Sequence, residues 1–144
     1  MKTKLLSNET EKTWAVILEI REEVMAYVSA FAKQQKLQGS RLTGIGAFER
    51  AVLGYFVWEK REYKRIAIDE QVELLSLIGD IALGENGEPK LHAHVVLGRS
   101  DGSTLGGHFL EAYVRPTLEL MIVEAPVHLR RRFDPDSGLA LISI

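Results

Sequence analysis

The apolar positions of this chain follow two different periods, and the change between them comes early. Thr13–Ile20 (TWAVILEI) is rich in β-branched and aromatic residues and predicts a first strand. Glu22 and Glu23 follow, acids placed where a helix N-terminus favours negative charge. Val24, Val28, Phe31 and Ala32 then recur at spacings of three and four, which predicts an amphipathic helix over Glu22–Leu37, ended by Gly39. From Arg41 onward the period stays close to two. Strands are predicted over Arg41–Ala47, Glu49–Glu59 and Tyr63–Ile68. The leucines of Glu70–Leu83 could serve a helix, but Gly79 and the Asp80-Ile-Ala that follows favour a buried strand. Gly84–Pro89 has turn composition. Lys90–Gly98 and Ser103–Ala112 form a hairpin about Arg99-Ser-Asp-Gly102. Thr117–Glu124 and Val127–Phe133 make a further pair about Pro126, and Leu139–Ile144 is a last short strand. One long helix among many strands predicts a compact α+β domain on a mainly antiparallel sheet.

Length and composition narrow the function classes. A chain of 144 residues fits one domain, taken here as 13–144 behind a short N-terminal extension, 1–12. A net charge of −2 gives no basic surface for nucleic-acid phosphates. No apolar run approaches the roughly 20 residues that span a bilayer, and Met1–Ser7 lacks the apolar core of a secretory signal. Without cysteine there is no disulfide framework. The cytoplasm is the expected compartment, with no membrane partner.

The candidate chemistry lies in histidine. His92 and His94 are two apart on a predicted strand, so both imidazoles leave one face. His108 lies on the returning strand, and register decides whether it joins them. A two-residue loop at Asp101-Gly102 puts His108 opposite Val95, on the wrong face. An odd loop, such as Arg99–Ser103 or a three-residue turn with a glycine bulge, puts it opposite His94, with Cβ atoms about 5 Å apart. Three neutral imidazoles suit zinc or another borderline divalent metal and leave a fourth position open. Gly106-Gly107, just before His108, marks a bulge or a close approach.

Other candidates carry less. Glu73, inside the apolar Val72-Glu-Leu-Leu75, either faces outward or turns into a cleft as a general base or as a partner of a histidine. Glu111 faces away from His108 on a regular strand, and His128 stands alone with an ordinary surface or core role. Arg130-Arg-Arg132 reads as a solvated strand edge. Gly44 and Gly46 lack the rest of a dinucleotide fingerprint and indicate a bend or close backbone packing. Tyr55, Phe56 and Trp58 read as core or subunit contact.

The stretch Leu91–Glu124, with Gly44-Ile-Gly-Ala-Phe48 and Val72–Gly79 before it, resembles the plants-and-prokaryotes conserved (PPC) domain. Its HxH, DGxxxGGH and EhxSLxG patterns (h apolar) occur in order, and the likeness runs from about Thr13 to the C-terminus. The resemblance implies a compact α+β fold that assembles as a homotrimer. It also implies metal ligation by His92, His94 and His108, as in prokaryotic relatives. In plant relatives the domain follows AT-hook segments that bind DNA. This chain has no Arg-Gly-Arg-Pro core, which argues against DNA as a partner. The preferred expectation is a trimeric, zinc-type metal-binding module for a small anionic ligand or for regulation. The alternatives are a hydrolase or lyase using a metal-bound water, and a DNA-binding regulator by family analogy.

Overall fold

Two long strands organise the molecule. The computed structural model describes residues 1–8, 11–126 and 128–143. In it β3 (Gly39–Val57) and β7 (Thr104–Glu124) run antiparallel beside one another. Each serves different partners at its two ends. The first half of β3 pairs with β5 (Val72–Leu83) and the second with β4 (Glu62–Ile68). The start of β7 pairs with β6 (Pro89–Gly98) and its end with β2 (Lys12–Leu18), which also carries β1 (Lys2–Asn8). Because β5 and β6 pair as well, the ladder β3–β5–β6–β7 returns to β3 and closes a ring of four strands. A hairpin of β8 (Arg130–Asp134) and β9 (Leu139–Ser143) joins the end of β5 through the parallel bridge Leu83–Arg130. Helix α1 (Val24–Gln35) lies against β6 and β7. No helix among the described residues is long and apolar enough to cross a membrane.

The two periods build the core. Trp14, Val16 and Leu18 of β2 are buried opposite Ile122, Leu120 and Leu118 of β7. The helix adds Val24, Val28, Phe31 and Ala32, with the Phe31 ring edge-on to Trp14 at 5.9 Å. Each buried valine, leucine, isoleucine or phenylalanine among them contributes about 1.5–3 kcal/mol.

Several boundaries differ from the sequence expectation. The helix starts later, because the Glu23 carboxylate caps it, accepting from the N–H groups of Met25 (3.1 Å) and Ala26 (2.6 Å). It ends before Gly39. Lys36 takes the left-handed conformation (φ 55°), the Leu37 N–H reaches the Ala32 carbonyl at 2.9 Å, and Gly39 already begins β3. The strands expected over Arg41–Ala47 and Glu49–Glu59 merge into one that ends at Val57, where Trp58–Lys60 forms a 3-10 turn, and those over Ser103–Ala112 and Thr117–Glu124 merge into one that starts at Thr104. The latter continues through Pro116, where the pairing with β3 skips from Gly46–Leu118 to Phe48–Val114. In that bulge no rung asks for the missing proline N–H. A Cβ on Gly46 would stand 2.3 Å from the Thr117 carbonyl oxygen, so the expected close backbone packing is there. The hairpin expected about Pro126 does not form. Thr117–Glu124 is held between β2 and β3, and β8 pairs with β9 instead. Val127 and Ile144 lie outside the described residues.

Candidate metal centre

The β6–β7 register decides where the third histidine goes. Gly98 pairs with Thr104, and the ladder runs back to His94 opposite His108. The loop is therefore the odd one. The Arg99 N–H donates to the Ser103 carbonyl at 2.9 Å, the Gly102 N–H donates to the Arg99 carbonyl at 3.0 Å, and Gly102 has φ +81°. Asp101 tightens the turn by accepting from the Ser103 N–H at 2.8 Å and its hydroxyl at 2.6 Å. With this register the three rings converge, at centroid separations of 5.2 Å (92 to 94), 5.0 Å (92 to 108) and 5.3 Å (94 to 108). One nitrogen from each lies within 4.8 Å of the others.

Glycines let the neighbouring strands close on this point. Gly79 of β5 pairs with Ala93, between the rungs Ile78–His94 and Asp80–His92. A Cβ there would meet the His92 carbonyl oxygen at 2.5 Å. Gly107 brings β7 against β3, where a Cβ would be 3.0 Å from the Gly54 carbonyl oxygen. Gly54 makes room for Tyr63, whose ring lies on His108 at 4.5 Å and 21°.

A second layer of polar groups holds the trio from the β5 side. Asp80 Oδ2 is 3.6 Å from His92 Nδ1, and its Oδ1 accepts from Arg131 Nη2 at 2.5 Å. Arg131 Nη1 donates in turn to the Ala140 carbonyl at 3.2 Å. Burial alone would push the Asp80 carboxyl up. Contact with His92 and the bond and charge of Arg131 together outweigh that and hold it below the ordinary carboxylate range. Burial and the charges of His92, His94 and Arg131 push His108 down to about 4. Burial, then His92, also lowers His94. Both rings are therefore neutral at neutral pH, with lone pairs free to ligate. His108 Nδ1 is buried with no hydrogen-bond partner among the described residues. Such an orphan is costly, and a cation among the rings would relieve it. The residues present thus fit a borderline divalent metal.

Glu73 is not part of this arrangement. It is exposed on β5 opposite Gly98, seven residues before the carboxylate that does face His92. The carboxylate beside His92 is Asp80 instead. The arginine run is corrected too: Arg130 and Arg132 are exposed, but Arg131 is only 8% exposed and bonded to Asp80. Alternation along β8 turns the middle arginine inward. Glu111 faces Arg65 at 3.5 Å, and His128 is exposed outside the cluster. Asp80 carried a sequence signal, an acid between Gly79 and Ile81 in an apolar strand. Tyr63 carried none, since only the β3–β4 pairing brings it over His108.

The chain resembles known structures over nearly its whole length. A plant- and prokaryote-conserved (PPC) protein of Pyrococcus horikoshii is 33% identical, with a TM-score of 0.85 over 99% of this chain and 95% of its own. A protein of Archaeoglobus fulgidus described as metal-containing is 30% identical, with a TM-score of 0.86 over 98% of this chain and 99% of its own. A protein of Bacteroides thetaiotaomicron described as a candidate DNA-binding protein is 26% identical, with a TM-score of 0.87 over 98% and 96%. Among curated proteins none matches. The family model of the Plants and Prokaryotes Conserved (PCC) domain matches residues 6–126, and with that match the chain belongs to the PCC domain family.

Proposed function

We propose that this protein is a metal-binding module that holds one divalent ion, zinc or a close analogue, on His92, His94 and His108 and presents the ion's open position to a small anionic ligand. The observation that carries the reading is the convergence of three imidazole nitrogens within 4.8 Å. The orphaned His108 nitrogen and the lowered His94 and His108 support it, as does the metal in the Archaeoglobus relative. When bound, such an ion supplies a positive anchor for an anion. Asp80 orients His92, because a carboxylate on one ring nitrogen leaves the other for the metal. A binding role is preferred over a hydrolase because Asp80, the carboxylate beside the trio, is committed to Arg131 and His92 rather than free to take a proton. The net charge of −2 argues against duplex DNA as the partner, whatever the description of the Bacteroides relative.

The module acts as a homotrimer in this reading. Ile45 (58% exposed), Leu75 (52%), Ile78 (64%) and Met121 (41%) line one shallow depression of about 500 Å³ with Ala15 and Ile17. An outer sheet face of that character is one a monomer gains by covering.

Metal analysis of protein purified without chelator tests the site. About one divalent ion per chain is expected. His94→Ala should cost more zinc affinity than the roughly 10–100-fold typical of losing an outer partner. Protein without stoichiometric metal, and a His94→Ala variant unchanged in zinc affinity and melting temperature, would overturn the reading.

A further inference from the structure

Beside the histidines lies a cleft of about 540 Å³, lined by Tyr63, Leu91, His92, His108, Leu139 and Leu141 among others. That volume falls in the range of small-molecule sites, roughly 300–1,000 Å³. Two kinds of side chain line it. His92, His108 and Arg131, whose Nε is buried with no acceptor among the described residues, are polar. Leu139 and Leu141 of β9, with the partly buried Leu91 of β6, are aliphatic. The β8–β9 hairpin that forms this aliphatic wall lies wholly beyond residue 126, where the family match stops.

The charge around the cleft selects the sign of the ligand. Asp80 is neutralised by Arg131, and the Glu85 carboxylate accepts from the Phe133 N–H at 3.0 Å. Lys90 also lines the cleft. These four charges cancel, so a metal on the trio makes the cleft net positive. A phosphate would satisfy that charge but gains nothing from leucine walls. A carboxylate with an apolar body satisfies both.

We infer that this cleft binds short- to medium-chain aliphatic monocarboxylates, the carboxylate at the histidines and the chain along Leu91, Leu139 and Leu141. This rests on the metal reading above. The C-terminal hairpin then sets the ligand's length, while the hairpin of β6 and β7 holds its head.

Calorimetry on the zinc-loaded protein, after a zinc titration of the same sample, tests the inference with acetate, hexanoate, hexan-1-ol and inorganic phosphate. Each fully buried methylene strengthens binding about fourfold. Hexanoate, with four more methylenes than acetate, should therefore bind at least about tenfold tighter even if the chain is half covered. Hexan-1-ol should bind more weakly than hexanoate, and phosphate no better than acetate. Leu141→Asp should abolish the gain of hexanoate over acetate while leaving zinc affinity unchanged. Leu141 is substantially exposed, so the fold should tolerate the change, and Leu141→Ser offers a milder version of the same test. Intact zinc binding with hexanoate and acetate equal, or with phosphate the tightest, overturns the cleft assignment alone. Failure of zinc to bind overturns the metal reading and this inference with it.

Discussion

Replacing Gly79 by alanine tests whether the spacing of β5 and β6 fixes the histidines. The added Cβ would stand 2.5 Å from the His92 carbonyl oxygen, 2.8 Å from Ala93 Cβ and 3.0 Å from Ala93 Cα. Ordinary contact begins at 3.4 Å, so the nearest approach is short by about 0.9 Å. The obstructing atoms are backbone and a Cβ, which cannot rotate away, so the strands must part. Overpacking of this kind costs about 1–3 kcal/mol. For a chain of this length each kcal/mol is worth roughly 3 °C, which puts the fall in melting temperature at about 3–9 °C. The displaced rungs are those of His94 and His92, on either side of Gly79. Metal sites tolerate only about 0.2 Å in ligand distance, so zinc affinity should fall about tenfold or more. Calorimetric melting of the metal-free protein and a zinc titration measure the two effects. Gly87→Ala is the control. It has open space around its Cβ but φ +75°, so it should cost about 1 kcal/mol through the backbone and leave zinc affinity unchanged. If Gly79→Ala melts within a degree of the parent and binds zinc equally well, the close packing of β5 on β6 does not set the site.

Three further outcomes are expected. Asp80→Ala strands the Arg131 guanidinium and, since Asp80 keeps some exposure, should cost about 2–4 kcal/mol in urea unfolding; a loss under about 0.5 kcal/mol would mean that the hairpin alone holds Arg131. Acid should destabilise the metal-free protein in a defined window. His108 is near 4 when folded and near 6.5 when unfolded, so the unfolded chain takes up the proton first. Its contribution is complete above about pH 6.5, is lost as the pH falls toward 4, and amounts to about 1–2 kcal/mol for a partly buried ring. Unfolding midpoints of the parent and of His108→Gln between pH 7 and 4 check this, and parallel curves would refute it. If the parent sediments as the proposed trimer, Ile45→Glu, a charge on the apolar outer face beside Glu119, should give monomers without altering zinc affinity; an unchanged mass, or a monomeric parent, would refute this subunit contact.

The fold was largely legible because its two periods are clean. Helix α1 and strands β2, β5 and β6 emerge from apolar spacing within a few residues of their positions. What spacing could not reveal is continuity. Proline and glycine read locally as breaks, yet β3 runs through Gly46 and β7 through Pro116 because their bulges face one another. That is a property of the pair, visible in neither strand alone. The lost hairpin at Pro126 has the same origin. Thr117–Glu124 had an apolar face for two partners, and a sequence cannot say which neighbour takes it.

The histidines and the residues packed around them differed in legibility for a related reason. His92 and His94 share a face by strand geometry, and His108 joins them through one turn whose Asp101 and Gly102 are local signals. Short sequence distance made the trio readable. Asp80 comes from the next strand, Arg131 from a hairpin 51 residues on, and Tyr63 from a strand that meets His108 only across Gly54. Glu73 was the plausible acid by composition, but strand length carries it to the loop end of the hairpin, opposite Gly98. The three histidines are thus encoded locally, and the groups packed around them are encoded by topology. On the proposed reading, substitutions in the C-terminal hairpin should change which ligand is accepted and leave zinc affinity unchanged.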